Sequence, residues 1–189
     1  ITRCIKRELK LAIIENKYRI GVKYVNQNRL LTLRGIILLL EDLACRHSDM
    51  VGFGINDTFK TNLSWVLLNW KIKILKEANY GSTVTVKTWS RDTNKLYTYR
   101  DFEIYDENNN LICIASSKWV LLSTKTGHIT QITDEIRNAY NPENKTVFEE
   151  PEISKLIEPS NANETFSFRV NRRDIDINNH MNNLYYLDY

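Results

Sequence analysis

Residues 17–25, KYRIGVKYV, alternate polar with apolar positions and are rich in β-branched and aromatic side chains, which predicts a strand. The period then changes. Leu33, Ile36, Ile37, Leu40, Leu43 and Ala44 recur at helical spacing, while Leu38 and Leu39 fill the remaining side. The helix predicted over 33–47 is therefore apolar nearly all round and must be buried on more than one face. Gly52 and Gly54 supply its stop. Four alternating stretches follow, at 69–76, 82–91, 95–106 and 111–123. In the first, Trp70, Ile72 and Ile74 share one face, and Asn69, Lys71 and Lys73 share the other. The fourth is the most apolar, as a central strand would be. The turn DENNN (106–110) joins the last two in a hairpin. These elements predict an α+β domain in which an antiparallel sheet wraps round a helix.

TDEIRNAY (133–140) reads as a short helix with Thr133 as N-cap and acidic residues in its first turn. From 141 to 163 the chain is polar, lacks a period and holds Pro142, Pro151 and Pro159, which predicts a linker over the surface. The pattern restarts in ETFSFRVNRRDIDINNHMNNLYYLDY (164–189), read as a strand leading to a helix that begins near Met181. Sliding the first opening over this one pairs Tyr18 with Phe166 and Val22 with Val170. It also sets Asn28 on Asp176, Leu30 on Asn178 and Thr32 on His180. The order of elements repeats, so the expected organisation is a domain at 1–140, a linker at 141–163 and the start of a second copy at 164–189. So little sheet cannot close a domain, and the second copy is expected to be truncated.

Composition narrows the classes. A net charge of +3 suits an acidic partner and falls short of a nucleic-acid signature. Cys4, Cys45 and Cys113 are odd in number and have no metal spacing, so they read as reduced thiols of a cytoplasmic protein without metal or cofactor. The longest apolar run, IILLL at 36–40, is too short to span a membrane, and the charged start has no signal-type block. His47 reads as a cation at a helix C-terminus, Cys45 as a small buried residue and His128 as solvated in a turn. Trp65, Trp70, Trp89 and Trp119 lie on amphipathic strands as core or pocket-wall residues.

The chemistry concentrates near the end. Asp174, Asp176, Asn178, Asn179, His180, Asn182 and Asn183 crowd into ten positions. Asp176, Asn178 and His180 alternate, so in an extended loop they project to one side. N–H groups at the start of a following helix have no intrahelical partner and could hold an oxyanion. That is a kit for hydrolysing an acyl bond. Residue type alone leaves a second reading open, because such side chains commonly cap helices and make turns.

DIDINNHMNNLYY resembles the D-x-D-x-N-x-H-x-N-N-x-x-Y signature of plant and bacterial acyl-acyl-carrier-protein thioesterases. The segments NLSWVLLNWKIKILKEANYGSTVTVKTWSR and YRDFEIYDENNNLICIASSKWVLLSTKTGHITQITDEIR resemble the family's W-V-L, G-x-x-V-x-V-x-T-W, R-D-F and A-x-S-x-W-V segments, so the likeness covers nearly the whole chain. It implies a tandem double hotdog fold, here with the second copy truncated, and hydrolysis of acyl-acyl-carrier protein to end fatty acid elongation. By position it implies Asp176, Asn178 and His180 as catalytic residues, with a further Glu or Cys beyond Tyr189. Asn182 and Asn183 are assigned to loop and interdomain hydrogen bonds, and Tyr186 to the core.

Further expectations follow. The acyl pocket is placed in the first domain, lined by Trp70, Ile72, Ile74, Val84 and Val86 round the helix. That domain is expected to be catalytically dead, because Asn28, Leu30 and Thr32 offer neither carboxylate nor imidazole. Acyl carrier protein is the expected partner, met by Lys71, Lys73 and above all by Arg172 and Arg173 beside the loop. An acyl-CoA thioesterase of the 4-hydroxybenzoyl-CoA type is a competing reading, since DINNHMNN matches its D-x-x-G-H-V-N-N except at Asn179. A non-catalytic acyl-binding hotdog protein is another. The Asn-, Ile- and Lys-rich composition suggests a bacterial source, and a homodimer is left open.

Overall fold

The structure is a computed structural model that describes residues 12–92, 94–157, 160, 164–176 and 180–189. Its strands are β1 (Ile13–Arg19), β2 (Leu63–Ile74), β3 (Thr83–Ser90), β4 (Tyr97–Tyr105), β5 (Leu111–Ser123) and β6 (Ile129–Thr130). Its α-helices are α1 (Leu33–Val51), α2 (Thr58–Thr61) and α3 (Asp134–Tyr140). The sheet runs β1-β3-β4-β5-β2, with β6 on β5, and every pairing is antiparallel. This sheet wraps α1 in the hotdog arrangement.

The helix forms where the period predicts it. Thr32 caps it by accepting the Gly35 N–H at 2.9 Å, and Gly52 closes it in the left-handed region at φ 81°. Ile36, Leu39, Leu40, Leu43 and Ala44 pack on Val84, Val86, Phe102, Ile104, Cys113 and Ala115 of the inner sheet face. Gly35 sits against the loop before the helix. A Cβ there would lie 2.4 Å from the Tyr24 carbonyl oxygen, so only glycine permits this approach.

Three differences from expectation concern the strands. The first strand lies at 13–19 rather than 17–25, because the chain leaves the sheet at Gly21 into a 3-10 turn, Val22–Tyr24. β2 begins at Leu63, not 69, since an irregularity between Leu67 and Asn69 breaks its alternation. β6 is two residues long, too short to show a period.

His47, read as a cation at the helix C-terminus, is buried near the end of α1. Its Nδ1 lies 3.0 Å from Arg100 Nη1, and its ring meets Tyr140 edge-on at 5.4 Å. Cys45 stands exposed, not buried. His128 is exposed in its turn, as expected.

Polar composition at 141–163 hides an ordered stretch. The Glu143 N–H donates to the Ser90 carbonyl, Trp89 Nε1 to the Lys145 carbonyl at 2.9 Å, and the Val147 N–H to Asp101 Oδ2 at 3.1 Å. Arg91 Nη2 donates to the Pro151 carbonyl at 2.6 Å. The segment thus covers Trp89 and the buried Arg91–Asp101 pair on the outer sheet face, and the first compact unit continues to Ile153.

The second unit, Ser154–Tyr189, is small. The strand expected after Glu164 does not form over 164–170, where no strand among the described residues of the unit pairs with it, and Phe166 and Phe168 stack on each other at 6.1 Å. A 3-10 turn, Arg172–Asp174, is followed by a bridge between Ile175 and Met181. The expected helix is a 3-10 helix at Asn183–Leu187, starting two residues after Met181. Its period buries Leu184 and leaves Tyr186 63% exposed, so Tyr186 is not a core residue in this unit.

Candidate active site

Asp176 and His180 face each other across the mouth of one loop. The His180 N–H donates to Asp176 Oδ1 at 3.1 Å, and the Asp176 N–H donates to the His180 carbonyl at 2.8 Å. The Asn182 N–H donates to the Asp174 carbonyl at 2.8 Å and closes the loop's outer ring. Asp176 is half-buried and His180 exposed. Asn178 lies outside the described residues.

Not every N–H near the helix start is available to an oxyanion. The Leu184 N–H donates to Asn182 Oδ1 at 2.9 Å and the Tyr185 N–H to the Asn182 carbonyl at 3.0 Å. Asn182 is therefore a cap, as its assignment to loop hydrogen bonds implied.

The first unit holds the same ring of hydrogen bonds. The Leu30 N–H donates to Asn26 Oδ1 at 3.1 Å, the Asn26 N–H to the Leu30 carbonyl at 3.0 Å, and the Thr32 N–H to the Tyr24 carbonyl at 2.9 Å. Val25 bridges Leu31 as Ile175 bridges Met181. These bonds repeat at a spacing of 150 residues, which corrects the alignment by two positions. Asp176 corresponds to Asn26, His180 to Leu30 and Asn182 to Thr32. The first loop still supplies neither carboxylate nor imidazole.

Asp174 belongs to the motif, but motif reasoning gives it no role. Its side chain is fully buried, and Oδ2 accepts the Asn171 N–H and the Tyr189 OH, each at 2.8 Å. Oδ1 is buried without a hydrogen bond and lies 3.5 Å from Arg173 Nε. Desolvation opposes the charged form, but the bonds from Asn171 and Tyr189 and the charge of Arg173 outweigh it. The carboxyl is held below its ordinary range. A signal was present in its spacing, three residues after Asn171, which forms a capping box about the turn.

The other expected site residues are scattered. Arg172 and Arg173 are exposed beside the loop, with Arg173 turned toward Asp174. Lys71 is occupied by the 141–151 segment, donating to the Glu150 carbonyl at 3.0 Å and lying over the Phe148 ring at 4.5 Å. Val84 and Val86 are fully buried in the core, while Trp70 and Ile72 pack half-buried at its edge. Ile74 is 48% exposed at the end of edge strand β2, so it does not line the interior as expected. A surface groove of about 530 Å³ between Lys17, Thr85, Lys87 and Glu107 involves none of these residues. Among the described residues, no cluster of His, Cys, Asp and Glu could hold a metal ion, and no helix is long and apolar enough to cross a membrane.

Comparison with known proteins gives these residues a context. The family model described as the acyl-ACP thioesterase N-terminal domain matches residues 12–140, and that of the C-terminal domain matches residues 157–189. The chain is 30% identical to oleoyl-acyl carrier protein thioesterase 2, chloroplastic, of Arabidopsis thaliana, over 95% of its own length and 52% of that protein. It thus spans about half the length of the curated relatives it matches. An acyl-ACP thioesterase from Bacteroides thetaiotaomicron superposes with a TM-score of 0.80 at 25% identity, covering 94% of this chain and 71% of that one. The 12:0-ACP thioesterase from Umbellularia californica shares the fold, with a TM-score of 0.80 at 22% identity and coverage of 94% and 73%.

Proposed function

We propose, from the premise that the chain belongs to the acyl-ACP thioesterase family, that it hydrolyses the thioester of an acyl-carrier-protein-bound fatty acid and releases the free acid. The carrying observation is that the ring of hydrogen bonds, which Asn26 and Leu30 make equally in the first unit, here carries a carboxylate at Asp176 and an imidazole at His180. A water molecule gives up a proton to the His180/Asp176 pair as its oxygen adds to the thioester carbonyl carbon. The resulting oxyanion collapses, the C–S bond breaks, and the thiolate leaves with the proton the pair had taken. Asn178 is proposed to orient the water.

The acyl chain is assigned to the inner sheet face of the first unit, at Trp70, Ile72, Val84 and Val86. Arg172 and Arg173 are proposed to meet the acidic carrier. The free thiols of Cys45 and Cys113 support a reducing compartment, which we take to be a bacterial cytoplasm.

The test is hydrolysis by the intact protein of matched acyl-carrier-protein and acyl-CoA thioesters. Free fatty acid should appear, with kcat/KM higher for the carrier-protein substrate. Preference for CoA would transfer the reading to the acyl-CoA class, and no hydrolysis of either would leave a binding protein.

A further inference from the structure

In the first unit the helix rests directly on the loop, because Gly35 lets its first turn approach the Tyr24 carbonyl. The matched position in the second unit is Tyr185, whose side chain cannot enter such a contact. The second loop carries a different attachment. The carboxylate of Asp174, on the loop's shoulder, accepts the hydroxyl of Tyr189, which follows the 3-10 helix. Tyr189 is itself fixed, stacked on Phe168 at 3.8 Å and 8° and accepting from Asn171 Nδ2 at 2.8 Å. The backbone ring of the first loop forms with Tyr24 in place of Asp174, so the fold of the loop does not require a carboxylate there.

We propose that Asp174 and Tyr189 are positioning residues, whose hydrogen bond fixes the Asp176–His180 loop against the chain that follows. The tie replaces the glycine contact of the first unit. The consequence of the tie for turnover rests on the reading of Asp176 and His180 as the catalytic pair; the tie itself does not.

Tyr189→Phe removes the donor and keeps the stacked ring. In the intact protein, amide hydrogen exchange at Asp176, His180 and Asn182 should become at least about tenfold faster, as local opening grows easier. Unchanged exchange would overturn the tie whether or not the protein is an active thioesterase. Against the best thioester substrate, kcat should fall about tenfold to a hundredfold with KM within about twofold, because misplacing catalytic groups costs rate rather than binding. Asp174→Asn, which keeps an acceptor for the Tyr189 hydroxyl, should retain most of the turnover, while Asp174→Leu, which also frees the Asn171 N–H, should lose at least as much as Tyr189→Phe. If all three variants lose kcat only in proportion to the folded fraction, the residues are merely structural and the positioning role fails.

Discussion

Where the first loop has Asn26 and Leu30, the second has Asp176 and His180. In each, one side-chain oxygen accepts the N–H four residues on, and the backbone closes with the same bonds. An amide oxygen and a carboxylate oxygen do that job equally well. The acceptor role is therefore structural and common to both loops. What the second loop adds is negative charge at Asp176 and an imidazole at His180, neither needed to build the loop. Capping and catalysis compete as readings of a polar cluster in sequence alone; the first loop shows that the capping part needs neither the charge nor the imidazole.

The comparison is broken or sharpened most strongly by giving the second loop the first loop's residues. Asp176→Asn keeps an oxygen for the His180 N–H and removes the charge. It should lower kcat at least about a hundredfold, as loss of acid–base help does, while the thermal unfolding midpoint stays unchanged. His180→Leu should do the same. Near-normal turnover of Asp176→Asn on the best thioester would reduce the carboxylate to a cap.

A smaller effect is expected where the loops differ in how the helix meets them. Gly35→Ala pushes a methyl into the Tyr24 carbonyl and should cost about 1–3 kcal/mol of stability in denaturant unfolding. Tyr185→Ala, at the matched and half-buried position, should cost less. Comparable losses would mean that the two helices seat alike. Smaller again, Thr32→Ala removes the α1 cap and should cost about 1 kcal/mol by the same measurement.

Particular residues show what the sequence could reveal. The strands β3 to β5 and α1 were legible because burial on one face imposes a period of two or of 3.6 on many consecutive residues. The repeat was legible only as an order of elements. Its register was misread by two positions, because loop residues are chosen for hydrogen bonds and carry no period. The correct register has its own faint signal: it sets Arg19 on Arg169, Ile20 on Val170, Asn28 on Asn178 and Leu31 on Met181. Ile74 looked like lining because alternation continues along β2, but alternation does not say that the strand lies at the sheet's edge. The ordered course of 141–151 was illegible for a different reason. Its fold is set by single bonds to Trp89, Asp101 and Arg91, which leave no pattern in composition.

The smallest expected effect comes from the reverse exchange, Asn26→Asp. The new carboxylate would accept the N–H groups of Asn28 and Leu30, now held by Asn26 Oδ1 at 3.0 and 3.1 Å. Bonds to the charged form lower a carboxyl pKa in the folded state. Relative to wild type, the contribution is then present above the unfolded value of about 3.9 and is lost as pH falls through the lower folded value. The site is exposed, so the gain at neutral pH should stay below about 0.5 kcal/mol. Urea unfolding of variant and wild type from pH 7 to pH 2 would measure it. A difference that grows as the pH falls would mean the carboxylate is not held by the loop, and the equivalence of Asn26 with Asp176 would go with it. No thioester hydrolysis should be gained in either case, because Leu30 cannot accept a proton where His180 can.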